Sequence, residues 1–140
     1  MSISDDIKTV LTTNAPLMAV LTGGVFNDVE EISRQNTPTA FDAITKEIMP
    51  CALIKFNTEI PFSAAKIANA VQTPLTIYFY ERSGYVNIES AMGMAFDLVN
   101  DSRIGTNVWR FEFDVAVYQQ RDTALDCPLG SLRFVAKRLR

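Results

Sequence analysis

The chain has 140 residues, 48% of them hydrophobic and 21% charged, with a formal net charge of −3 and a pI near 4.9. That balance excludes a largely disordered chain, and the acidic surplus argues against a general nucleic-acid binder. A chain this long is expected to fold as one domain, 1–140, and to bury roughly two thirds of its unfolded surface without help from a metal or disulfide.

In chain order, Ile3, Ile7, Val10 and Leu11 fall at helical spacing, with Ser2 or Ser4 as cap and Asp5 and Asp6 at the positive end of the dipole. Pro16 suits a first helical turn, so Asn14 reads as a fresh cap for PLMAVL, and Gly23-Gly24 reads as its stop. VFNDV, 25–29, reads as a short strand. Residues 30–47 are polar and aperiodic, with one more helical turn possible from Thr37-Pro38. PCALIKF, 50–56, has strand length. Residues 57–70 have no clean period and read as a long loop or an irregular hairpin arm. TPLTIYFYE, 73–81, is rich in β-branched and aromatic residues and reads as a strand.

Over 85–100 the period changes. Ile88, Met92, Ala95, Phe96 and Val99 make one helical stripe. Asn107–Gln119 then alternates, and Trp109, Phe111, Phe113, Val115 and Val117 are expected to face the helices together. QRDTALDCPLG, 120–130, reads as a loop. SLRFVAKRLR, 131–140, alternates again, with Leu132, Phe134 and Ala136 apolar. The expected fold is α+β: a mostly antiparallel, mixed sheet with helices packed on one face and long polar loops. No repeat or linker divides it.

Reaction chemistry is absent from this pattern. The chain has no histidine, which removes the commonest general base and metal ligand. Cys51 and Cys127 lie 76 positions apart, lack zinc spacing and read as reduced thiols. No phosphate-cradling glycine motif occurs. Glu112 with Asp114, and Asp122 with Asp126, read as solvent-facing carboxylates. No catalytic residue, cofactor or metal is expected. The acidic N-terminus shows no apolar run of signal-peptide length, and nothing reaches a membrane span. Synthesis and folding in a cytoplasm, with no membrane partner, is the expectation.

What remains is surface. Three polar connections, 30–47, 57–70 and 120–130, are long enough to suggest contact with other chains. Ile60, Pro61 and Phe62 sit in the second of them, as does Lys66. An apolar triplet there tucks under its own domain or enters a neighbour. Arg110, Glu112, Asp114, Arg121 and Asp122 offer charge pairs across a subunit boundary or simply face water. Arg133, Lys137, Arg138 and Arg140 place four of the 13 basic residues in the last eight positions. They read as a charged edge strand that resists aggregation, or as a contact for an acidic partner or passing DNA.

DDIKTVLTTNAPLMAVLTGGVFNDV resembles the opening of tail terminator (tail completion) proteins of long-tailed bacteriophages. MPCALIKF is similar to their proline-led strand. AVQTPLTIYFYERSGYVNIESAMGMAFDLVND resembles their aromatic strand running into an amphipathic helix, and NVWRFEFDVAVYQQRDTALDCPLGSLRFVAKRL their closing strand pair. The resemblance implies a virion protein made in the host cytoplasm. It would form a ring, usually of six copies, on the head-proximal end of the tail tube. The ring would end tube polymerisation and dock the head-side connector at the neck. Implied partners are further copies of itself, the tube protein and the connector, with DNA passing through the lumen. A head completion or connector protein of the neck is the nearest alternative. A cytoplasmic ligand-binding regulatory α+β domain is the alternative from a different class.

Overall fold

A computed structural model of the chain describes residues 3–56, 60–61, 70–105 and 108–139. Two short helices open it, α1 (Ile3–Thr12) and α2 (Ala15–Val20). Strand β1 (Val25–Phe26), a 3-10 turn (Pro38–Ala40), β2 (Cys51–Phe56), β3 (Ile60–Pro61) and β4 (Ala70–Tyr80) follow. Helix α3 (Val86–Val99) and the long strands β5 (Val108–Asp122) and β6 (Cys127–Leu139) complete it. The sheet order is β1-β2-β4-β6-β5, and β3 pairs with β4. Among the described strands only β1 with β2 is parallel; the other pairs are antiparallel. The α+β mixed sheet with helices on one face is therefore the observed architecture.

Local chemistry sets the element ends. Asn14 caps α2 by accepting the Leu17 N–H at 3.0 Å, one turn on. Gly24 takes φ +97°, where a side chain would be strained, and lets the chain turn from α2 into β1. Ser4 lies inside α1 rather than before it. Its neighbour Asp5 accepts from Asn27 Nδ2 at 2.7 Å, tying the exit of β1 to the start of α1. Helix α3 starts without a side-chain cap from its own preceding residue, Tyr85. Glu81, buried just past β4, supplies one instead. Its carboxylate accepts the N–H groups of Asn87 at 3.2 Å and Ile88 at 3.4 Å, and the Asn87 side-chain amide at 2.7 Å. Replacing Glu81 by alanine leaves those donors unpaired in a buried place. We expect a loss of about 1–2 kcal/mol, read by chemical denaturation, with Glu81→Gln intermediate.

The main core lies between the helices and the sheet. Ile7, Leu11, Leu17, Ile77, Phe79, Ile88, Met92, Phe111 and Phe134 are all within 1% of complete burial. The predicted stripe of α3 is buried apart from Phe96, which packs partly exposed beside the core. The apolar face of β6, Leu132, Phe134 and Ala136, is buried as expected.

A second, smaller core occupies part of the other sheet face. Residues 27–50 turn back toward the sheet, apart from the exposed tip around Ile44. They fold across that face and bury Ile32, Ala40, Phe41 and Ile48 against Cys51, Leu53, Tyr80 and Cys127. Cys51 pairs with Tyr80 and Tyr80 with Leu129, so β4 stands between the two thiols. Two strand spacings are about 10 Å, beyond disulfide reach, and both cysteines are free and buried. Burial pushes the Cys127 thiol up to about 11 and the Cys51 thiol higher still.

Three sequence expectations need correction. The loop expected over 120–130 is mostly strand: β5 runs to Asp122, β6 starts at Cys127, and a tight turn joins them. The basic C-terminal strand is not an edge, because β6 lies between β4 and β5. The apolar run of β5 does not keep one face. Register shifts fall between Val108 and Arg110, Phe113 and Val115, and Val117 and Gln120. Each adds one residue to β5 and turns the alternation over. Phe111 and Phe113 oppose Ala136 and Phe134 on the helix side, whereas Val115 and Val117 oppose Arg133 and Ser131 on the other. Trp109 sits half-buried at the first shift.

Candidate functional site

The face of β5 and β6 turned away from the helices carries a charge network. Arg110 opposes Lys137 and Val115 opposes Arg133, so two cations meet directly at one row. Carboxylates separate them. Glu112 lies 2.7 Å from Lys137 Nζ and 3.8 Å from Arg110 Nη1, and Asp101 accepts from Arg110 Nε at 2.7 Å. Asp114 is 3.0 Å from Arg133 Nε, a Coulombic contact without the alignment of a hydrogen bond. Three cations thus meet three carboxylates, and the face is neutral in sum. Pairs this exposed each contribute under about 1 kcal/mol and weaken with salt.

The structure thus brings together Arg110, Glu112, Asp114, Arg133 and Lys137. It does not bring Arg121, Asp122 or Arg138 to them. Arg121 pairs with Asp126 at 2.8 Å, and the Asp122 carboxylate accepts the Leu125 N–H at 2.8 Å, so both residues build the β5–β6 turn. Arg138 opposes Val108 on the helix side, and its Nε is 3.4 Å from Thr73 Oγ1. Ile60 pairs through its backbone with Gln72, beside Pro61 with Val71. Phe62, Lys66 and Arg140 lie outside the described residues.

Two further features were not singled out from the sequence. The first is a groove of about 410 Å³ between α3 and β5, lined by Met92, Gly93, Phe96, Asp97, Phe113 and Tyr118 with Leu132 at its base. The rings of Phe96 and Phe113 meet edge to face at 5.1 Å, and Phe134 lies beneath both at 6.2 and 6.1 Å. Phe113 and Tyr118 remain 43% and 53% exposed, high for such large apolar surfaces.

The second is the hairpin over residues 41–48, closed by a bridge between Phe41 and Ile48. Asp42 accepts the N–H groups of Ile44 at 2.8 Å and Thr45 at 2.9 Å. Arg34 grips the Lys46 carbonyl at 2.8 and 3.1 Å while its guanidinium lies 5.0 Å over the Phe41 ring. This braced tip presents Ile44 at 90% exposure. A polar stretch, DAITKE, with one large apolar residue was its only sequence signal.

The Asp42 carboxyl is held below the usual carboxylate range, first by the Thr45 N–H and then by that of Ile44. A depressed folded value contributes stability above the unfolded value, and that contribution is lost as pH falls through the folded one. The tip is therefore expected to loosen in acid, below about pH 4. Amide shifts of Ile44 and Thr45 moving to loop values there, and staying fixed in Asp42→Asn, would show it.

Among the described residues no group of acidic or cysteine side chains is placed to hold a metal ion, and no helix is long and apolar enough to cross a membrane. Two other hollows among the described residues, about 580 Å³ beside Arg34 and Phe41 and about 280 Å³ beside Glu47 and Arg82, pair no nucleophile with a base.

No protein-family model and no curated protein matches the chain. Among solved structures it is similar to a chain from the virion of a native gene transfer agent particle. The similarity covers 98% of this chain and 94% of that one, with a TM-score of 0.67 and 13% sequence identity. At that identity the likeness is one of fold.

Proposed function

We propose that this chain is a structural protein of a phage-like particle. In this reading it forms a ring at the head-proximal end of the tail tube, stops tube polymerisation and offers the head-side connector a docking surface. The observation that carries the reading is the end-to-end fold likeness to a virion chain. The opening, central and closing segments that resemble tail terminators support the finer assignment.

The mechanism is surface matching with no bond made or broken. One face meets the last tube ring, another the connector, and the sides meet each other. A side contact between unlike patches closes into a ring only when the rotation per copy is an integer fraction of a turn. The balanced network around Arg110, Glu112, Asp114, Arg133 and Lys137 suits such a contact, because paired charges can exchange partners with a neighbour without net desolvated charge. Arg138 and Arg140 would then face an acidic ring or the lumen. The 57–70 segment, with Ile60, Phe62 and Lys66, would reach a neighbouring subunit.

Electron microscopy of the purified protein, alone and mixed with polymerising tube protein, tests the reading. Closed rings, free or on one end of each tube, are the expected result. A protein that stays monomeric or dimeric in both settings and leaves tube growth unaltered would refute it. A neck completion protein would instead bind the connector and ignore tubes.

A further inference from the structure

We propose that the side contact of the ring is made by the 41–48 hairpin of one copy seating Ile44 in the α3–β5 groove of the next, over Gly93. This rests on the ring reading above and names its contact. Three observations on separate elements converge on it.

The first is Gly93. It lies inside α3, where glycine costs about 1 kcal/mol relative to alanine, and a side chain built there meets nothing within 4 Å. No neighbour within the chain requires it. Its effect is to keep the groove floor open between Met92, Phe96 and Tyr118, where a second backbone or side chain can approach closely. The second is the hairpin tip. Ile44 is 90% exposed, yet its turn is fixed by Asp42 and Arg34, so little ordering remains to oppose docking. No residue of the hairpin lines the groove of its own chain. The hairpin packs on the sheet face away from the helices, so the natural complement is a second copy.

The third is charge. At the tip Asp42 is occupied by its own turn, and Glu47 is paired with Arg82 at 2.6 Å. The Asp42 carboxylate stays ionised and is balanced by Lys46, so the surplus at the tip is one positive charge, that of Arg34 over Phe41. The groove rim carries Asp97, and Glu89 sits one helical turn before Gly93, accepting from the neutral Gln119 amide at 3.4 Å. A tip with one surplus positive charge meets an acidic rim around an apolar centre, the arrangement of a specific interface. The two patches differ, so the contact runs head to tail and generates rings rather than isolated dimers.

The test uses the full chain under conditions where the wild type forms rings. Ile44→Asp and Gly93→Leu should each raise the concentration needed for rings at least tenfold, without lowering the melting of the monomer. Gly93→Ala should melt higher than the wild type yet assemble several-fold less well, a split that a merely structural glycine would not produce. In the double variant Ile44→Cys with Gly93→Cys, mild oxidation should give a ladder of covalent multimers, whereas each single cysteine should stop at dimers or below. The native thiols stay silent because both are buried.

If Ile44→Asp and Gly93→Leu form rings at the wild-type concentration, or the double variant gives no ladder, this contact is wrong while the ring reading stands. If those variants form normal rings but no longer stop tubes, the groove belongs to the tube protein and the proposal falls. If the wild type forms no ring even with tubes present, the reading beneath it fails too.

Discussion

Replacing Phe134 by alanine is expected to destabilise the protein by about 3–5 kcal/mol, the range for truncating a fully buried aromatic residue. Phe134 is 0% exposed and sits under both Phe96 and Phe113, at 6.2 and 6.1 Å. Its loss removes area burial and two ring contacts, and leaves a cavity that two partly exposed rings would have to fill. For a chain of this size the melting temperature should fall by roughly 10–15 °C. The same rings form the groove wall, so assembly should suffer even at temperatures where the variant is folded. Phe134→Leu should recover most of the stability but less of the assembly. Differential scanning calorimetry beside light scattering would separate the two effects.

The second large effect is expected at Gly130. An added Cβ there would lie 2.6 Å from Ile88 Cγ2 and 2.7 Å from Met92 Sδ. Those side chains belong to the buried face of α3, so the position marks the place where the helix rests directly on β6. Met92 can bend away, but Ile88 is branched and fully enclosed, at 1% exposure. Gly130→Ala should cost about 1–3 kcal/mol by overpacking, and Gly130→Val more, partly offset by the better strand propensity of a branched residue. Unfolding in denaturant with an unchanged slope and a lower midpoint would be the signature. An unshifted midpoint for valine would mean that α3 does not pack on β6 at this point.

Much of this architecture was legible in the residues because the period stayed intact over the relevant stretch. Leu132, Phe134 and Ala136 alternate without interruption, and their strand pairs regularly with β4. Asn14 followed by Pro16 has one local meaning, and the structure realises it. The apolar run in β5 misled for a physical reason. A bulge inserts a residue without leaving a composition signal, so Phe113 and Val115 read as one face while lying on opposite ones. The 120–130 stretch looked like a loop because Asp122 and Asp126 are polar; their carboxylates in fact build a turn within a long hairpin.

Residues 30–47 cover a sheet face with scattered contacts of Ile32, Ala40 and Phe41, and irregular cover has no period to detect. Arg110, Glu112, Asp114, Arg133 and Lys137 do share one surface, because pairing of β5 with β6 sets them side by side. Their pairing is within the chain, which sequence spacing could not reveal. Ile44 and Gly93 escaped notice for the opposite reason. Each is ordinary alone, and only the turn around Ile44 and the groove around Gly93 single them out.

The most direct measurement is the length distribution of tail tubes grown with and without this protein, read by electron microscopy with one end of each tube in view. The account predicts tubes that stop growing once a single ring of this chain covers an end, and free tube ends wherever the ring is missing. Tubes that elongate unchecked in its presence, with no density at either end, would contradict it.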